Sequence, residues 1–325
     1  MVGMVNASAF ISGVSQRLGQ VTDLSELTQM GVAQDVISEL RNRGFQRFLQ
    51  ETRDPAHVWS ACASAAIEGA GVHPNKIDCV IIAVSSYLLE AALQTLQLTG
   101  LGRSKLLGIS LQDCCASIAS IAVASELVIK EPDSRHILAI IPWASREPER
   151  LGRNRDILFS DGTIAFVISN QEGDFEILAS ECLTDPSLTD LERNPAHKAA
   201  YLLAGLDNIQ GVAERALRQA GIEASSLRSV FCTNGNSIFQ DAIGMATSTR
   251  DLIYKDTFVR FGHVLGCDEL LGLRAYAEEN TIHDGDLFLL LSWAPYATAA
   301  CVLRCCMGTK LAGTRKRAPV PASDV

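Results

Sequence analysis

Two adjacent cysteines, Cys114 and Cys115, stand where an apolar run gives way to a helical pattern. Residues 106–111 are strand-like, and apolar or small residues then recur at three- and four-residue steps up to residue 128, which predicts a helix. The backbone N–H groups at the start of a helix stabilise a thiolate, so a cysteine at this junction is a candidate nucleophile. The local pattern also fits the commoner case of small cysteines packed in the core. Local chemistry therefore leaves both interpretations open.

An internal repeat indicates how such a cysteine is positioned. Residues 64–80 line up with residues 214–230 at a constant offset of 150, and each copy predicts a helix, an Ala-Gly turn and a buried strand. The chain is therefore predicted to contain two duplicated βα halves. Carrying the same offset forward moves Cys115 to position 265, inside the loop 261–267. We expect these two strand-to-helix junctions to face each other, with His263 near Cys115.

Alternating segments around these motifs predict an α/β protein. Strands are expected at 5–14, 76–84, 136–143, 175–181, 256–261, 286–293 and 299–306, and residues 229–236 are expected to be a strand that runs into a loop. Helices are expected at 57–70, 88–101, 211–220, 237–245 and 268–279. Asp161-Gly162 lies between two apolar runs and predicts a hairpin turn.

Composition limits the classes of function. The chain has 325 residues and a net charge of −9, which argues against a nucleic-acid binder. Its apolar runs are too short for a membrane span, and the N-terminus does not resemble a secretion signal. Ten cysteines include two adjacent pairs and no C-x-x-C, so we expect reduced thiols, a cytoplasmic protein and no metal site. The basic tail, 309–325, is predicted to be disordered.

The order of motifs resembles the thiolase superfamily, in particular its ketoacyl-ACP synthase III branch, from about residue 5 to residue 306. Asp113-Cys114-Cys115-Ala116-Ser117 is similar to the family's "aaCsG" segment, with Cys115 in the place of the catalytic cysteine. Residues 158–168 resemble its "FGDGAgA" segment, and residues 70–83 resemble its third strand and preceding helix. The loop 261–266 resembles "GNtsaaS".

The resemblance implies a fold and a set of site residues. The expected fold is the five-layered αβαβα thiolase fold, with an N-terminal half over 1–172 and a C-terminal half over 173–308. Cys115 is then the nucleophile, and its own N–H and that of Ala294 are the expected oxyanion donors. The family's catalytic histidine aligns with Thr233 and its catalytic asparagine with His263, so both join Cys115 as expected catalytic residues, while Asn236 is expected to brace its loop.

These departures change the predicted reaction. Decarboxylative condensation needs paired donors to stabilise an enolate, and replacing the histidine by Thr233 removes one of them. A cysteine and His263 suffice for acyl transfer to a hydroxyl, amine or thiol. The sequence therefore predicts an acyltransferase of the kind found in antibiotic and polyketide pathways. Its expected partners are an acyl carrier protein or CoA thioester, whose phosphopantetheine carries the substrate, a small-molecule acceptor, and a second copy in a homodimer. No other cofactor, nucleic acid or membrane is expected.

Two alternatives remain open at this stage. His263 alone could support a ketoacyl-ACP synthase III-type condensation. The chain could also be an inactive subunit that supports an active thiolase-fold partner in a heterodimer.

Overall fold

A computed structural model describes residues 8–83, 88–130, 135–144, 150–152 and 157–306. Within them the strands are β1 (Ala9–Leu18), β2 (Gln20–Asp23), β3 (Arg47–Gln50), β4 (Cys79–Ile82), β5 (Lys105–Gly108), β6 (His136–Trp143), β7 (Gly162–Ser169), β8 (Phe175–Thr184), β9 (Ser229–Cys232), β10 (Leu287–Ala294) and β11 (Ala297–Cys305). The helices are α1 (Gln34–Asn42), α2 (Pro55–Gly69), α3 (Leu89–Leu98), α4 (Ala116–Lys130), α5 (Ser187–Arg193), α6 (Lys198–Ala220), α7 (Ser237–Ala246), α8 (Asp256–Phe261) and α9 (Asp268–Glu279). The tail predicted to be disordered lies outside the described residues.

A nine-stranded mixed sheet contains both halves of the chain, in the order β5-β4-β6-β7-β1-β8-β11-β10-β9. The antiparallel pair β1–β8 joins the strands of the N-terminal half to those of the C-terminal half. In each half, the strand that follows the repeated helix runs parallel to a neighbour: β4 to β6, and β9 to β10. Strand β5 forms one edge of the sheet.

Alternating side chains on the strands produce the layers. Ile81 and Phe166 point into a central core that also holds residues of α4 and α9, whereas Ile82 and Val167 pack into a separate core under α2 and α3. The same alternation divides β10 and β11 between the central core and a third cluster under α6 and α7. Side chains on a strand alternate faces, so each half-sheet is covered by helices on both sides. The α/β class is confirmed, and the two outer helix layers with a shared inner one match the five-layered arrangement expected from the resemblance.

The repeat predicted from sequence is present in the structure. Helix α2 precedes β4, and α6 precedes β9. Strand β4 begins at Cys79 and β9 at Ser229, which is the predicted offset of 150 residues. The predicted helix 211–220 is the second half of α6, which begins earlier, at Lys198. The division into halves at residue 172 stays a prediction, since β1 and β8 lie side by side in one sheet.

Two local predictions are wrong. Residues 256–261 form the short helix α8 rather than a strand, because six residues are too few to separate the two periods and the segment buries only Thr257 and Phe258. Asp161-Gly162 is not a hairpin turn, since Gly162 begins β7, which pairs with β1 and β6.

Asp161 instead connects separate segments of the chain through buried contacts. Its carboxylate forms a buried ion pair with Arg150, at 2.9 Å from Nη2, and accepts a hydrogen bond from the Glu51 N–H. Arg150 also donates to the carbonyl oxygens of Leu49 and Phe159. Removing one member of such a pair leaves a buried charge, which typically costs about 3–5 kcal/mol. The pair thereby fixes the segment that carries Phe159 against the rest of the fold.

No helix among the described residues is long and apolar enough to cross a membrane.

Candidate active site

The loop before the two cysteines is conformationally strained. After β5 the chain enters a 3₁₀ turn, Asp113–Cys115, which runs directly into α4. Leu111 and Asp113 have φ values of 61° and 42°, in the left-handed region that non-glycine residues rarely adopt. Such strain persists where the surroundings over-determine the backbone, often at functional sites. The turn therefore holds the cysteines in one defined geometry.

A second loop lies against this turn, as the repeat predicts. It begins at Gly262, passes through the 3₁₀ turn Leu265–Cys267 and enters α9. A Cβ atom on Gly266 would lie 2.8 Å from both Ala116 Cβ and the Asp113 carbonyl oxygen, so only glycine permits this approach. The two strand-to-helix junctions therefore face each other in contact.

His263 is the residue that the second loop presents to the first. The imidazole Nε2 atom lies 3.5 Å from Cys114 Sγ, and Nδ1 lies 2.6 Å from Asp268 Oδ2. A carboxylate only accepts hydrogen bonds, so Nδ1 carries the proton and Nε2 is left as an acceptor for the thiol. Cys114, His263 and Asp268 are 6%, 2% and 1% exposed. They form a buried Cys-His-Asp line.

Further contacts hold Asp268 and His263 in place. Asp268 also accepts hydrogen bonds from the N–H groups of Val264, at 2.8 Å, and Asn234, at 2.7 Å. The His263 carbonyl accepts from the Ser160 N–H at 2.7 Å, and the Phe159 ring lies 5.3 Å from the imidazole between centroids. The imidazole is therefore held between a charged partner and an aromatic wall.

Cys115, the predicted nucleophile, occupies a different position. Its side chain is 1% exposed, and the cavity beside His263 is lined by Cys114 and not by Cys115 among the described residues. The Ala294 N–H, predicted to be an oxyanion donor, lies close enough to Cys115 to lower the pKa of that thiol. The structure thus pairs Ala294 with Cys115 and His263 with Cys114. Which thiol takes an acyl group stays a prediction.

Both thiols are poor acids in this environment. Burial raises the pKa of Cys114 well above its ordinary value, and the charges of Cys115, Asp113, Asp268 and Glu269 raise it further. Burial also raises the pKa of Cys115, followed by the charge of Glu269. A thiolate is therefore not preformed at rest, and the proton has to leave as the sulfur attacks. His263 Nε2 is positioned to receive it from Cys114.

Thr233 lies in the site but its hydroxyl is engaged elsewhere. It is 2% exposed, donates to Glu269 Oε1 at 3.2 Å, and accepts from the Trp293 N–H at 3.0 Å. Asn236 accepts a hydrogen bond from the Phe239 N–H and caps α7, and its expected bracing role stays a prediction. Thr233 therefore braces neighbouring segments, and its contacts give no sign of a direct role in proton transfer.

Asp268 and Glu269 are not among the site residues predicted from the sequence. Acidic residues in the first turn of a helix usually serve only to complement the helix dipole, and these two begin α9. The signal that could have found them is their spacing, since Asp268 follows His263 by five residues on the facing loop. The other five histidines were not expected to take part, and no described contact brings them to this site.

A cavity of about 610 Å³ opens onto the Cys-His-Asp line. Its inner lining includes Cys114, Thr233, His263 and Ala294, and its outer part includes aromatic and apolar side chains of α6 and α7 together with Arg43 and Lys198. A second cavity of about 240 Å³ lies on the other side of Asp113, which lines both. The larger volume fits a drug-sized or pantetheine-sized group.

Comparisons with known proteins identify similar sequences and similar folds. No family model matches the chain. A ketoacyl-ACP synthase III of Cereibacter sphaeroides is 28% identical over 193 residues, which is 56% of this chain and 59% of the relative. Over about half of its length the chain is therefore similar in sequence to ketoacyl-ACP synthase III. Its matches to the first curated relatives span only 41% and 59% of those relatives' lengths.

Solved structures extend the likeness to the whole fold. ChlB3, named as an acyltransferase, superposes with a TM-score of 0.81 at 16% identity, covering 92% of this chain and 98% of ChlB3. The synthase III FabH of Pseudomonas aeruginosa PAO1 gives a TM-score of 0.76 at 17% identity, with the same coverage. The predicted resemblance to the ketoacyl-ACP synthase III branch of the thiolase superfamily is confirmed.

Proposed function

We propose that this protein is an acyltransferase that moves an acyl group from a phosphopantetheine thioester, on an acyl carrier protein or CoA, to a hydroxyl, amine or thiol acceptor. The single observation that carries the proposal is the buried line from Cys114 through His263 to Asp268. This line supplies a nucleophile, a base and a group that stabilises the protonated base, which are the groups that activate a thiol for transfer through a thioester.

In the first half-reaction, His263 Nε2 takes the proton of the Cys114 thiol as the sulfur attacks the donor's carbonyl carbon. Asp268 stabilises the imidazolium that forms, since its carboxylate already accepts from Nδ1. The bond between the carbonyl carbon and the pantetheine sulfur breaks, and the departing pantetheine sulfur takes the proton from His263 and leaves as a thiol. The protein is left as a Cys114 thioester with its charges unchanged.

In the second half-reaction, His263 deprotonates the acceptor as its oxygen, nitrogen or sulfur attacks the thioester. The bond from the acyl carbon to Cys114 Sγ breaks, and the thiol is restored by the proton on His263. No carbon–carbon bond forms and no CO₂ leaves. The sequence-based choice of Cys115 differs from this proposal by one residue, and the difference rests on which thiol faces Nε2.

The contacts of Thr233 favour transfer over condensation. An enolate needs preorganised donors aimed at its oxygen, each typically contributing about 10²–10³ in rate. Here the residue in the histidine position uses its hydroxyl on Glu269 and the Trp293 backbone. His263 is then the one side chain of the aligned pair that faces the thiol.

An assay with two donors tests the proposal. The protein is incubated with acyl-carrier proteins loaded with malonyl or non-malonyl acyl groups, and intact mass and CO₂ release are followed. We expect a covalent acyl adduct that is discharged by a small nucleophile, with the malonyl group transferred intact. Release of CO₂ together with a ketoacyl product would favour the condensing alternative and contradict transfer.

A homodimer is also proposed, with the second copy on the edge strand β5. Among the described strands, none pairs with the outer edge of β5, and Leu107 on it is 39% exposed. Leu89, Leu93 and Leu111, in the neighbouring helix and loop, are also exposed apolar side chains. Open edges and exposed apolar groups of this kind favour pairing with another chain.

A further inference from the structure

Glu269 is a buried carboxyl group that the proposed proton transfers do not use. It is 0% exposed, and three hydroxyl groups surround it. Oε1 contacts Ser292 Oγ at 2.6 Å and Thr233 Oγ1 at 3.2 Å, and Oε2 contacts Ser117 Oγ at 3.1 Å. These hydroxyls belong to β10, to the loop after β9 and to α4. One side chain therefore links three segments of the site.

The adjacent carboxyl groups of Asp268 and Glu269 have different hydrogen-bond partners. Asp268 accepts two backbone N–H groups and the imidazole of His263. The side-chain partners of Glu269 in the described chain are hydroxyls, with no cation among them. The N–H groups around Asp268 can only donate, which favours a carboxylate there, whereas a hydroxyl beside Glu269 can accept an acid proton. Of the two it is therefore Glu269 that retains a proton. Burial, followed by the charge of Asp268, raises the pKa of Glu269 to about 8.

Several titratable groups face this carboxyl group. Asp268 is its neighbour on α9, Cys114 and Cys115 approach from the turn before α4, Cys232 from β9, and Cys267 from the turn before α9. A negative charge on Glu269 raises the pKa of each of these thiols. The protonation of Glu269 is therefore coupled to how readily the site's cysteines lose a proton.

We propose that Glu269 is a positioning residue that acts as a neutral acid: protonated, it holds Ser117, Thr233 and Ser292 together beneath the reactive thiol, and once ionised it opposes the attack. This inference rests on the proposed acyl transfer. Negative charge develops on sulfur and then on the carbonyl oxygen during attack, and a second buried negative charge destabilises both. Glu269 keeps its proton throughout, because the transferred proton moves only between the thiol, His263 and the leaving or entering group.

Infrared difference spectroscopy tests the protonation state without any substrate. Spectra of the wild type and Glu269→Gln are compared from about pH 6 to 10. We expect a carboxylic-acid C=O band at neutral pH that is absent from the variant and disappears as pH rises through about 8. Absence of this band at neutral pH would overturn the proposal. If Glu269→Gln fails to fold, Ser117→Ala replaces it, because loss of one hydroxyl contact should shift the band.

Thiol reactivity tests the coupling. Iodoacetamide alkylation of Cys114 is followed by mass spectrometry against pH in a Cys115→Ala background, with Glu223→Gln as the control for an exposed glutamate. Below about pH 7 Glu269→Gln should react like the control. Above about pH 8 it should react up to about tenfold faster, the change for one unit in thiol pKa. Matching profiles at every pH would overturn the proposal.

The same variants separate this inference from the proposed function. With a loaded carrier protein as donor, wild-type acylation should decline above about pH 8, and Glu269→Gln should retain its rate. If the alkylation profiles differ as expected but no donor acylates the protein, the acyltransferase proposal fails while the control of the thiol by Glu269 is supported.

Discussion

Asp268 Oδ2 lies 2.6 Å from His263 Nδ1, at the far side of the imidazole from Cys114. Both partners are buried, and two backbone N–H groups hold the carboxylate in place. The contact fixes the tautomer that leaves Nε2 free to accept a proton. A base of this kind is needed because burial raises the pKa of the thiol that it faces.

Replacing Asp268 by asparagine tests this relationship. The amide is similar in shape but cannot stabilise an imidazolium, and it favours the wrong tautomer. We expect single-turnover acylation to slow by roughly 10²–10⁴. Asp251→Asn, on a surface turn, is the control. A rate within a few-fold of the wild type in a folded Asp268→Asn protein would remove Asp268 from the mechanism.

Thr233→Val separates a bracing role from a catalytic one. Valine keeps the volume but loses the hydroxyl that donates to Glu269 and accepts from the Trp293 N–H. We expect a loss of unfolding free energy of about 1–3 kcal/mol, because a buried backbone N–H is left without its partner. Acylation by the folded protein should change far less than in His263→Ala. A variant of normal stability whose acylation is as slow as that of His263→Ala would instead make Thr233 catalytic.

The pH dependence of stability follows from Glu269. Its pKa rises from 4.5 to about 8 in the folded state, so the folded protein binds the proton more tightly than the unfolded chain. This contribution is fully present below about pH 4.5 and is lost as pH rises through about 8. We therefore expect the melting temperature of the wild type to fall, relative to Glu269→Gln, between about pH 5 and 8. Parallel melting curves across that range would contradict a raised pKa.

The proposed dimer is tested at the β5 edge. Leu107→Lys places a charge among the exposed apolar side chains of that edge, so we expect a shift from dimer to monomer in light scattering after size exclusion. Val21→Lys is the matched control, because Val21 is 63% exposed but belongs to the separate β2–β3 sheet. A dimer that survives Leu107→Lys would place the interface elsewhere.

The sequence was informative where a pattern extended over many residues. The 150-residue repeat predicts two similar halves, and the structure aligns β4 with β9 and brings the two junctions into contact at Gly266. Long apolar runs likewise identify the central strands. Short segments such as Asp256–Phe261 carry too few residues to define a period, and there the prediction was wrong.

The chemistry of the site depends on differences smaller than a pattern resolves. Adjacent residues in a 3₁₀ turn differ by about 120° in direction, so the choice between Cys114 and Cys115 depends on the strained backbone of that turn. The roles of Asp268 and Glu269 depend on which partners folding brings to each carboxyl group. Two adjacent acidic residues thereby acquire different hydrogen-bond partners, which no local sequence rule indicates.

A matched pair of cysteine variants tests the central claim most directly. Cys114→Ala and Cys115→Ala are each incubated with a loaded acyl-carrier protein, and the intact mass is recorded over time. If the thiol facing His263 carries the acyl group, Cys114→Ala gives no adduct and Cys115→Ala acylates at a rate close to the wild type. An adduct that persists in Cys114→Ala and disappears in Cys115→Ala would contradict this and make Cys115 the nucleophile.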